Sequence, residues 1–403
     1  MIRVRRRLPV PLLVALVPVL LAGGIWLGGH PQNLPGFARD ALVGDSEAQT
    51  YQEAIDTIAD NYYREVDEDE LLDEGLGAGV ASLDDRFSAY FDPEEYREFA
   101  QATDGALEGV GMSVEQDAGR KGLRVLTVFD RSPAKRGGLR EGDLITEVDG
   151  RSLAGTNSQK ATALIKGKAG TRVKLTVITG KQEPRVLDLE RARVDVPVVE
   201  ARMERSGTSK VAHVALSGFT SGAHGELRVA LDKLLERGAD GVVLDLRHNG
   251  GGLLSEAVQV SSIFIRDGTI VSTKGRKRAR RVFEATGSSI DAKVPVVVLV
   301  DQASASASEI VAGAIQDRGR GELVGARTFG KGVFQEIRRL SNGGALDITV
   351  GEYFTPKGRN LGGGGVQPGS GLTPDVRAED DPKTTRTDEA LDAAVKTVLA
   401  EGT

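Results

Sequence analysis

Serine residues are concentrated in the stretch Gln302–Glu309, which has the sequence QASASASE and contains a candidate nucleophile. The stretch follows the apolar segment Val294–Val300 and precedes a segment with helical spacing, so Ser306 is predicted at a strand-to-helix turn. A hydroxyl at such a turn is exposed, and the positive helix end and nearby backbone N–H groups can hold a developing oxyanion. The competing interpretation is a capping box, with Ser306 as N-cap and Glu309 at N3, which has a structural role only.

A serine nucleophile needs a general base, and the chain offers few candidates. Its four histidines are His30, His213, His224 and His248. None of them lies close to Ser306 in sequence, whereas a lysine can serve if burial lowers its pKa from about 10.4 towards neutrality. Lys331 lies between two glycines, and a strand over Gly332–Ile337 would put Lys331 and Gln335 on one face. Gln335 could then accept a hydrogen bond from the lysine amine; a solvated turn lysine is the competing interpretation.

Length and composition limit the classes of function. A chain of 403 residues should hold two or three domains. It has no cysteine, which excludes disulfides, thiolate metal sites and cysteine nucleophiles, and four histidines are too few for a histidine-rich metal site. With a net charge of -6 and only 4% aromatic residues, the chain lacks the basic surface and the stacking platforms typical of nucleic-acid binding. We therefore expect no nucleic-acid partner and no metal.

The N-terminus has the pattern of an export signal or a membrane anchor. Arginines at positions 3, 5, 6 and 7 precede the uncharged, mostly apolar segment Leu8–Gly29. Its 22 residues span about 33 Å as a helix, enough to cross a hydrocarbon core of about 30 Å. Because no small-residue cleavage site is evident, we favour an uncleaved single-pass anchor in the cell membrane over a cleaved signal peptide. The arginines then stay in the cytoplasm and the catalytic part is extracytoplasmic, or secreted if the segment is cleaved.

The rest of the chain changes in character along its length, and these changes define the predicted segments. Apolar runs without alternation, separated by helical patterns, begin near Arg191 and indicate a largely parallel sheet covered on both faces. Asp92-Pro93-Glu94-Glu95 predicts the start of a helix, with Asp92 as N-cap and Pro93 at N1. The predicted segments are an anchor or signal at 1–30, a linker at 31–45, a helical region at 46–103, a β-rich module at 104–190, an α/β core at 191–379, and a polar linker with a final helix at 380–403.

The β-rich module contains glycine motifs in a distinctive order. Gly109-Val110-Gly111-Met112 is followed by Ser132-Pro133-Ala134, then by GLREGDLI at 138–145 and VDG at 148–150. This order resembles a PDZ domain of the bacterial protease type. The first glycines would let the backbone approach a ligand, so that successive N–H groups bind a peptide carboxylate while the peptide adds a strand to the sheet edge. A glycine-rich hairpin without a ligand is the alternative. The residues expected to bind the peptide are Gly109, Val110, Gly111 and Met112, with the side chains of Val110 and Met112 offering apolar surface beside the backbone donors.

Three motifs in the α/β core resemble those of the carboxy-terminal processing, or tail-specific, serine peptidases. They are SASASE at 304–309, TFGKG at 328–332 with a glutamine four residues after the lysine, and DLRHNGGG at 245–252. The resemblance runs from about Ala48 to Val376 and includes the stretch LDDRFS at 83–88. It implies helical N-terminal arms, a PDZ module and a crotonase/ClpP-like protease core.

The resemblance also implies roles for individual residues. Ser306 corresponds to the nucleophile, Lys331, 25 residues later, to the general base, and Gln335 to the residue that orients the lysine. No metal or organic cofactor is implied. The implied oxyanion hole consists of backbone groups of Ala307 and of a glycine in the run that includes Gly250 and Gly251.

The chain departs from the family pattern at several positions. His248 stands where many relatives have a small polar residue or asparagine, and we favour a loop role over a catalytic one. Thr179-Gly180 occupies a position where relatives often have an arginine that couples peptide binding to the core, so the resemblance assigns no coupling residue at this position. Asp317 matches an acid of some relatives, and a structural ion pair is the favoured interpretation. The basic run Lys274–Arg281 predicts a solvated loop, with contact to an anionic envelope polymer or lipid as the alternative.

The sequence as a whole predicts a multidomain α+β protein with a transmembrane helix, a helical arm, a PDZ β-module and an α/β protease core. Its predicted function is that of a cell-envelope serine endopeptidase that recognises protein C-termini through the PDZ domain and cleaves with Ser306 and Lys331. The alternative is a PDZ adaptor with an inactive protease-like core. The expected partners are proteins or peptides with free C-termini and the membrane; a homo-oligomer formed through the N- and C-terminal helices is left open.

Overall fold

The structure is a computed structural model of the chain, and it describes residues 46–119, 121–380 and 387–400. The predicted membrane helix within 1–30 and the linker at 31–45 lie outside these ranges. Among the helices that the structure describes, none is both long enough and apolar enough to cross a bilayer. The chain divides into two compact units, Met1–Asp84 and Asp85–Thr403.

The described part of the first unit consists of two helices, α1 (Ser46–Asn61) and α2 (Glu68–Ala81). Helix α2 begins after Asp67, whose carboxylate accepts the backbone N–H groups of Asp69 and Glu70. The acidic residues of its first turn are stabilised by the positive end of the helix.

The first regular elements of the second unit are strand β1 (Ala89–Phe91) and helix α3 (Pro93–Thr103). The helix start predicted at Asp92 is confirmed, because its carboxylate accepts the first backbone N–H groups and the Glu95 carboxylate accepts the N–H of Asp92. Pro93 occupies the first turn, where the N–H that proline lacks would have had no partner within the helix.

The β-rich module is built from antiparallel strands and two short helices. Its elements are β2 (Ala106–Gly109), β3 (Met112–Gln116), β4 (Leu123–Val128), α4 (Pro133–Arg136), β5 (Leu144–Val148), β6 (Arg151–Ser152), α5 (Ser158–Ile165), β7 (Arg172–Ile178), β8 (Arg185–Glu190) and β9 (Ala192–Asp195). The sheet order is β3-β4-β5-β7-β8 with β6 paired to β5, and β2 and β9 form a separate ribbon. Alternate residues of β7, namely Val173, Leu175 and Val177, point into a core that belongs to this module alone.

The α/β core follows the module. Its elements are β10 (Val199–Ser206), β11 (Ser209–Leu216), α6 (Ala223–Glu236), β12 (Gly241–Asp245), α7 (Leu254–Phe264), β13 (Thr269–Gly275), β14 (Arg278–Glu284), β15 (Val296–Val300), α8 (Ala307–Asp317), β16 (Glu322–Gly325), β17 (Val333–Arg339), β18 (Ala345–Phe354), β19 (Val376–Arg377) and α9 (Glu389–Ala400). The main sheet has the order β10-β11-β12-β15-β16-β19, and every pair after the antiparallel β10-β11 pair is parallel.

Both faces of this parallel sheet are covered, as the apolar runs predict. In β15, Val296 and Val298 pack into a cluster with helices α6, α7 and α8, whereas Val297 and Leu299 pack on the other face with α9. A strand that is buried on both faces needs apolar residues at every position, which explains the unbroken run VVVLV.

A second sheet lies beside the first and has the order β1-β18-β13-β14, with β17 also paired to β18. Strand β1 pairs antiparallel with the beginning of β18, where Ala89 lies opposite Asp347 and Phe91 opposite Ala345. This pairing holds residues Asp85–Ser88, directly before β1, next to strands β17 and β18.

Candidate active site

Ser306 lies between the buried strand β15 and helix α8, at the predicted strand-to-helix turn. Its φ and ψ are 55° and -113°, a backbone conformation that side-chain-bearing residues rarely adopt and that is enriched at functional sites. The neighbouring serines have other partners: the hydroxyl of Ser304 donates to the carbonyl of Leu246 (2.8 Å), and that of Ser308 donates to the carbonyl of Asn249 (2.8 Å). Of the three serines in SASASE, only Ser306 lines the cavity described below.

Glu309 joins the Ser306 turn to the segment that carries Lys331. Its buried carboxylate accepts backbone N–H groups from Ser306 (3.0 Å), Gly330 (2.8 Å) and Lys331 (2.9 Å), and the hydroxyl of Thr328 (2.6 Å). Burial raises the pKa of Glu309, although these hydrogen bonds oppose the rise. The sequence suggested Glu309 only as a helix cap; its contacts with residues 328–331 depend on the tertiary structure.

Lys331 is half-buried, and its amine contacts strand β17 of the second sheet. Its Nζ donates to Gln335 Oε1 (2.8 Å), and Gln335 Nε2 donates to Thr349 Oγ1 (2.9 Å) on the neighbouring strand. The ring centroid of Phe87 lies 4.6 Å from Nζ. The predicted pairing of Lys331 with Gln335 is therefore present, with two further residues that the sequence analysis missed.

The surroundings of Lys331 lower its pKa below the ordinary lysine value. Burial is the largest cause, because it penalises the charged ammonium, and Arg86 acts in the same direction. Asp347, Asp85 and Glu309 oppose this effect through their negative charges.

Tyr353 lies behind Ser306 and Lys331 and is almost completely buried. Its hydroxyl donates to the backbone carbonyl of Lys331 and lies 3.4 Å from the carbonyl oxygen of Ser306. Burial raises the pKa of this phenol well above its usual value, so it stays a neutral donor. Tyr353 therefore supports the backbone of both segments.

The glycine loop passes beside Ser306. Gly250 and Ala307 line the cavity, whereas Gly251 donates its N–H to Asn249 Oδ1 (2.9 Å). A Cβ at Gly251 would lie 2.8 Å from Ser306 Cβ, and its φ of 109° suits glycine alone. The structure thus corrects the expectation that Gly251 is an oxyanion donor: this glycine lets the loop approach Ser306 closely, and its N–H is used within the loop. Gly250 and Ala307 stay the predicted donors.

An ion-pair cluster anchors the base of the glycine loop. Asp245 is buried, His213 Nε2 lies 3.0 Å from its Oδ2, and Arg247 pairs with it at 2.8 Å. Arg247 also pairs with Asp388, just before helix α9, at 2.9 Å. Burial works against the charge of Asp245, but the hydrogen bonds from His213 and Arg247 hold its pKa at about 2. The cluster ties the loop to the C-terminal helix.

Two residues that the sequence singled out lie apart from the cavity. The side chain of His248 is 85% exposed and pairs with Asp301 (2.8 Å), which agrees with a loop role. Asp317 forms an ion pair with Arg359 and accepts the backbone N–H of Lys357 (2.9 Å). The structural interpretation of Asp317 is confirmed.

Ser306, Lys331 and Gln335 line one cavity of about 660 Å³. Its apolar wall comprises Leu253, Leu254, Phe283, Ile310 and Phe334. Its basic residues other than Lys331 are Lys274, Arg278 and Arg281 of the β13–β14 hairpin. The basic run is therefore a hairpin at the edge of the cavity rather than the predicted loop.

A larger cleft of about 1330 Å³ lies between α3, β2 and the end of α5. It contains none of the predicted catalytic residues. The smaller cavity, which combines a strained serine with a lysine of lowered pKa, is the better candidate for the chemistry.

The predicted carboxylate-binding loop lies between β2 and β3. Gly109, Val110 and Gly111 are buried and Met112 is half-buried. Val110 is 2% exposed and belongs to the module's core, so the expectation that its side chain offers apolar surface to a ligand is wrong. At Gly111, φ is 80° and a Cβ would collide with Ser132, which explains the glycine. Peptide binding at these four residues stays a prediction.

The fold and the cavity define a serine protease with an attached PDZ domain, and comparisons with known proteins identify its family. Residues 210–376 match Peptidase family S41, and residues 101–178 match the PDZ domain. The chain is 32% identical over 331 residues to the carboxy-terminal processing protease CtpA of Bacillus subtilis, covering 82% of this chain and 70% of the relative. It is 36% identical over 296 residues to a carboxyl-terminal-processing protease of Picosynechococcus, covering 73% and 71% respectively.

A solved structure of a photosystem II D1 C-terminal processing protease is 29% identical, with a TM-score of 0.50, and the match covers 89% of this chain and 98% of that one. The chain therefore belongs to Peptidase family S41 and is a serine-type carboxy-terminal processing protease, which confirms the family resemblance and the enzyme class.

Proposed function

We propose that this protease is an endopeptidase of the cell envelope that uses Ser306 as nucleophile and Lys331 as general base. The environment of Lys331 is the observation that supports the mechanism best. Its amine is half-buried, donates to Gln335 and lines the same cavity as Ser306. Because burial lowers its pKa, the neutral amine that a base requires is more easily reached than in an exposed lysine.

In the proposed mechanism, the neutral Lys331 amine accepts the hydroxyl proton of Ser306 while Oγ attacks the scissile carbonyl carbon. The N–H group of Gly250, in the glycine loop, and that of Ala307, at the positive N-terminal end of helix α8, stabilise the oxyanion of the tetrahedral intermediate. The Lys331 ammonium then donates a proton to the leaving amine, which leaves an acyl group on Ser306. Water attacks the acyl carbon while Lys331 accepts its proton; the ester bond to Ser306 Oγ then breaks, the Lys331 ammonium returns a proton to Oγ, and the product departs as a carboxylate after losing its proton to solvent.

Recognition of protein C-termini is the second part of the proposal. The PDZ match and the Gly109–Met112 loop support it, because successive N–H groups in such a loop can hold a terminal carboxylate. Substrates would then be proteins or peptides with free C-termini, bound by the module and cut in the cavity of the core.

The envelope location and the membrane contact rest on the sequence of the N-terminus. Four arginines followed by an uncharged, mostly apolar segment of 22 residues favour a single-pass anchor with the protease outside the cytoplasm. Fractionation of cells that produce the tagged full chain would test this part by itself: a soluble cytoplasmic protein would contradict it, whatever the enzyme assays give.

The chemistry is tested with the purified full chain and casein as substrate. Ser306→Ala and Lys331→Arg should both be folded and inactive, since each removes one member of the nucleophile–base pair. An active Ser306→Ala enzyme would refute the nucleophile. Loss of activity in EDTA would refute a mechanism that needs only these side chains.

A further inference from the structure

Residues Asp85–Ser88 open the second unit and lie against Lys331. The Phe87 ring faces Nζ at 4.6 Å, and the Arg86 guanidinium lies 4.7 Å from the Phe87 centroid and 5.4 Å from that of Phe329. This segment precedes strand β1, whose pairing with β18 brings it to the base. A stretch more than 200 residues before the nucleophile thus contacts the proposed general base.

A chain of hydrogen bonds connects this segment with the lysine amine. Lys331 Nζ donates to Gln335 Oε1 (2.8 Å), and Gln335 Nε2 donates to Thr349 Oγ1 (2.9 Å). The Thr349 hydroxyl in turn hydrogen-bonds to Asp85, and the Thr349 backbone N–H donates to Ser88 Oγ (3.0 Å). The Ser88 hydroxyl donates to Asp85 Oδ2 (2.7 Å), so both branches end on one carboxylate.

The direction of these hydrogen bonds determines which group of Gln335 faces the lysine. A carboxylate only accepts, so the Thr349 hydroxyl must donate to Asp85 and can then only accept from Gln335. Gln335 must therefore turn its NH₂ group to Thr349 and its oxygen to Lys331. With one amine hydrogen held by that oxygen, the orientation of the amine towards the Ser306 side of the cavity is restricted.

We propose that Asp85 is a positioning residue for the base, acting on Lys331 through Thr349 and Gln335. The inference rests on the proposed role of Lys331 as general base. Asp85 touches neither substrate nor nucleophile; it holds the amide of Gln335 in the one orientation that accepts from the amine. A misplacement of about 1 Å at a reacting group can reduce the rate about 100-fold, so an effect on the rate of about 10-fold or more is expected.

Asp85 also contributes charge. The charged groups that face Lys331 are Asp347, Asp85, Glu309 and Arg86. Removing a carboxylate disfavours the ammonium, so in Asp85→Asn the amine becomes neutral at a lower pH. The rising limb of kcat/KM against pH should therefore move to lower pH, while the plateau falls because the amide is less well held.

The test is the pH profile of kcat/KM for the full chain and four variants with a fluorogenic peptide. Asp85→Asn should shift the limb and lower the plateau. Thr349→Val should lower the plateau without a shift to lower pH, because it breaks the chain without removing charge. Thr349→Ser keeps the hydroxyl and should restore the wild-type plateau. Asp84→Asn is the matched control: Asp84 is exposed, has a φ of 53° that asparagine tolerates, and should behave as wild type.

Two results would overturn the proposal: a profile of folded Asp85→Asn that superimposes on that of wild type, or equal plateaus for Thr349→Val and Thr349→Ser. If Asp85→Asn does not fold, as judged by its melting curve, the two Thr349 variants decide. Failure of the proposed function is a different outcome, because it would appear as an active Lys331→Arg enzyme.

A second observation concerns the basic hairpin at the other side of the cavity. Lys274, Arg278 and Arg281 line the cavity, and Arg278 is neutralised by Glu336 at 2.6 Å. Lys274 and Arg281 form no ion pair with any carboxylate in the described part of the chain. Arg281 stacks on the Phe283 ring at 4.6 Å, which holds the guanidinium at the cavity wall.

We infer that Lys274 and Arg281 form a subsite for an acidic side chain of the substrate. The two cavity carboxylates, Glu336 and Asp347, do not cancel these charges: Glu336 is already paired, and Asp347 lies near Lys331. An aspartate or glutamate of a bound peptide would supply the missing partner, and a guanidinium fork suits a carboxylate. This inference also rests on the proposed cleavage in this cavity.

The test compares peptides that carry Glu or Gln at each position around the scissile bond. The wild-type full chain should prefer Glu at one position by about 3- to 10-fold in kcat/KM, and the preference should shrink in high salt. Lys274→Gln/Arg281→Gln should bring the Glu/Gln ratio close to one, whereas Lys277→Gln, at the hairpin turn, should keep the wild-type ratio. No preference at any position, or an unchanged ratio in the double variant, would overturn the subsite; absence of cleavage of every peptide by wild type would instead refute the proposed function.

Discussion

Ser306 and Lys331 donate their backbone N–H groups to the same atom, Glu309 Oε2, at 3.0 and 2.9 Å. The two residues that the mechanism needs together are thus fixed to one buried oxygen. Its partner oxygen, Oε1, accepts from Thr328 and Gly330, so four donors hold the carboxylate in place. The relative position of the nucleophile and the base therefore depends on a residue that takes no part in the proton transfer.

Glu309→Gln should lower kcat/KM by about 100-fold. The amide NH₂ would face backbone N–H donors and push the Ser306 turn away from the segment that carries Lys331. The free energy of unfolding should also fall, by about 1–3 kcal/mol, since buried N–H groups lose their acceptor. Both are measured with a peptide assay and urea denaturation. Glu236→Gln, at an exposed position on α6, is the matched control and should change neither. Wild-type kinetics for Glu309→Gln would contradict this role.

The rate should rise with pH along one ionisation, because Lys331 must lose its proton before it can act as a base. Since burial lowers the pKa of Lys331, the limb should lie below the ordinary lysine pKa of about 10.4. Lys331→Arg keeps the charge and cannot deprotonate, so it should be inactive at every pH. The measurement is kcat/KM over the pH range in which the protein stays folded; a flat profile would argue against a lysine base.

Alanine substitutions of the three serines of SASASE should have two different effects, one on stability and one on activity. Ser304→Ala and Ser308→Ala should each lose about 1–3 kcal/mol of stability, because their hydroxyls donate to buried carbonyls, and should still cleave peptides. Ser306→Ala should lose several orders of magnitude in rate. Thermal melts and peptide assays on the same preparations test this, and an inactive but fully stable Ser304→Ala would be the unexpected result.

Asp245 should make the core sensitive to acid. Its pKa of about 2 lies below the value of about 3.9 in an unfolded chain, so its ionised form contributes about 2 kcal/mol above pH 4. That contribution is lost as the pH falls from about 4 to 2. Asp245→Asn should be less stable at pH 7 and should lose less stability over that interval than wild type. Parallel pH dependences of the urea midpoint for the two proteins would contradict the assignment.

Substrate choice should depend on a free C-terminus. Amidating the substrate tail removes the charge that the N–H groups of the Gly109–Met112 loop would hold, a loss of about 1–3 kcal/mol, or about 5- to 150-fold in binding. Matched free-acid and amide peptides, cleaved by the full chain, give the measurement. A variant without residues 104–178 should no longer distinguish the free-acid peptide from the amide. Equal cleavage rates of the two peptides by the full chain would show that the terminal carboxylate does not contribute to recognition.

Much of the candidate site could be predicted from short-range patterns. The order of strand, small residues and helix placed Ser306 at a turn, and the spacing of Lys331 and Gln335 put both on one side of a strand. The unbroken apolar run of β15 indicated a sheet buried on both faces. These features depend on periodicities within about ten residues, which the local sequence determines by itself.

Other features depended on the tertiary structure. Glu309 was recognisable as a cap, but its contacts with Thr328 and Lys331 require α8 to pack beside the segment before β17. The side chain of Val110 was expected to contact a ligand, but it is buried in the core of the PDZ domain. The N–H of Gly251 was expected to bind the oxyanion, but it donates to Asn249 within its own loop. Periodicity does not reveal which of several donors a given acceptor will meet.

Asp85 illustrates the physical reason most clearly. It lies 246 residues before Lys331 in the sequence and approaches it only because Ala89–Phe91 pair with the beginning of β18. The sequence determines which side chains are available and the local conformation around each. The register between distant strands then decides which of them meet, because that register is set by the packing of the whole unit rather than by neighbouring residues.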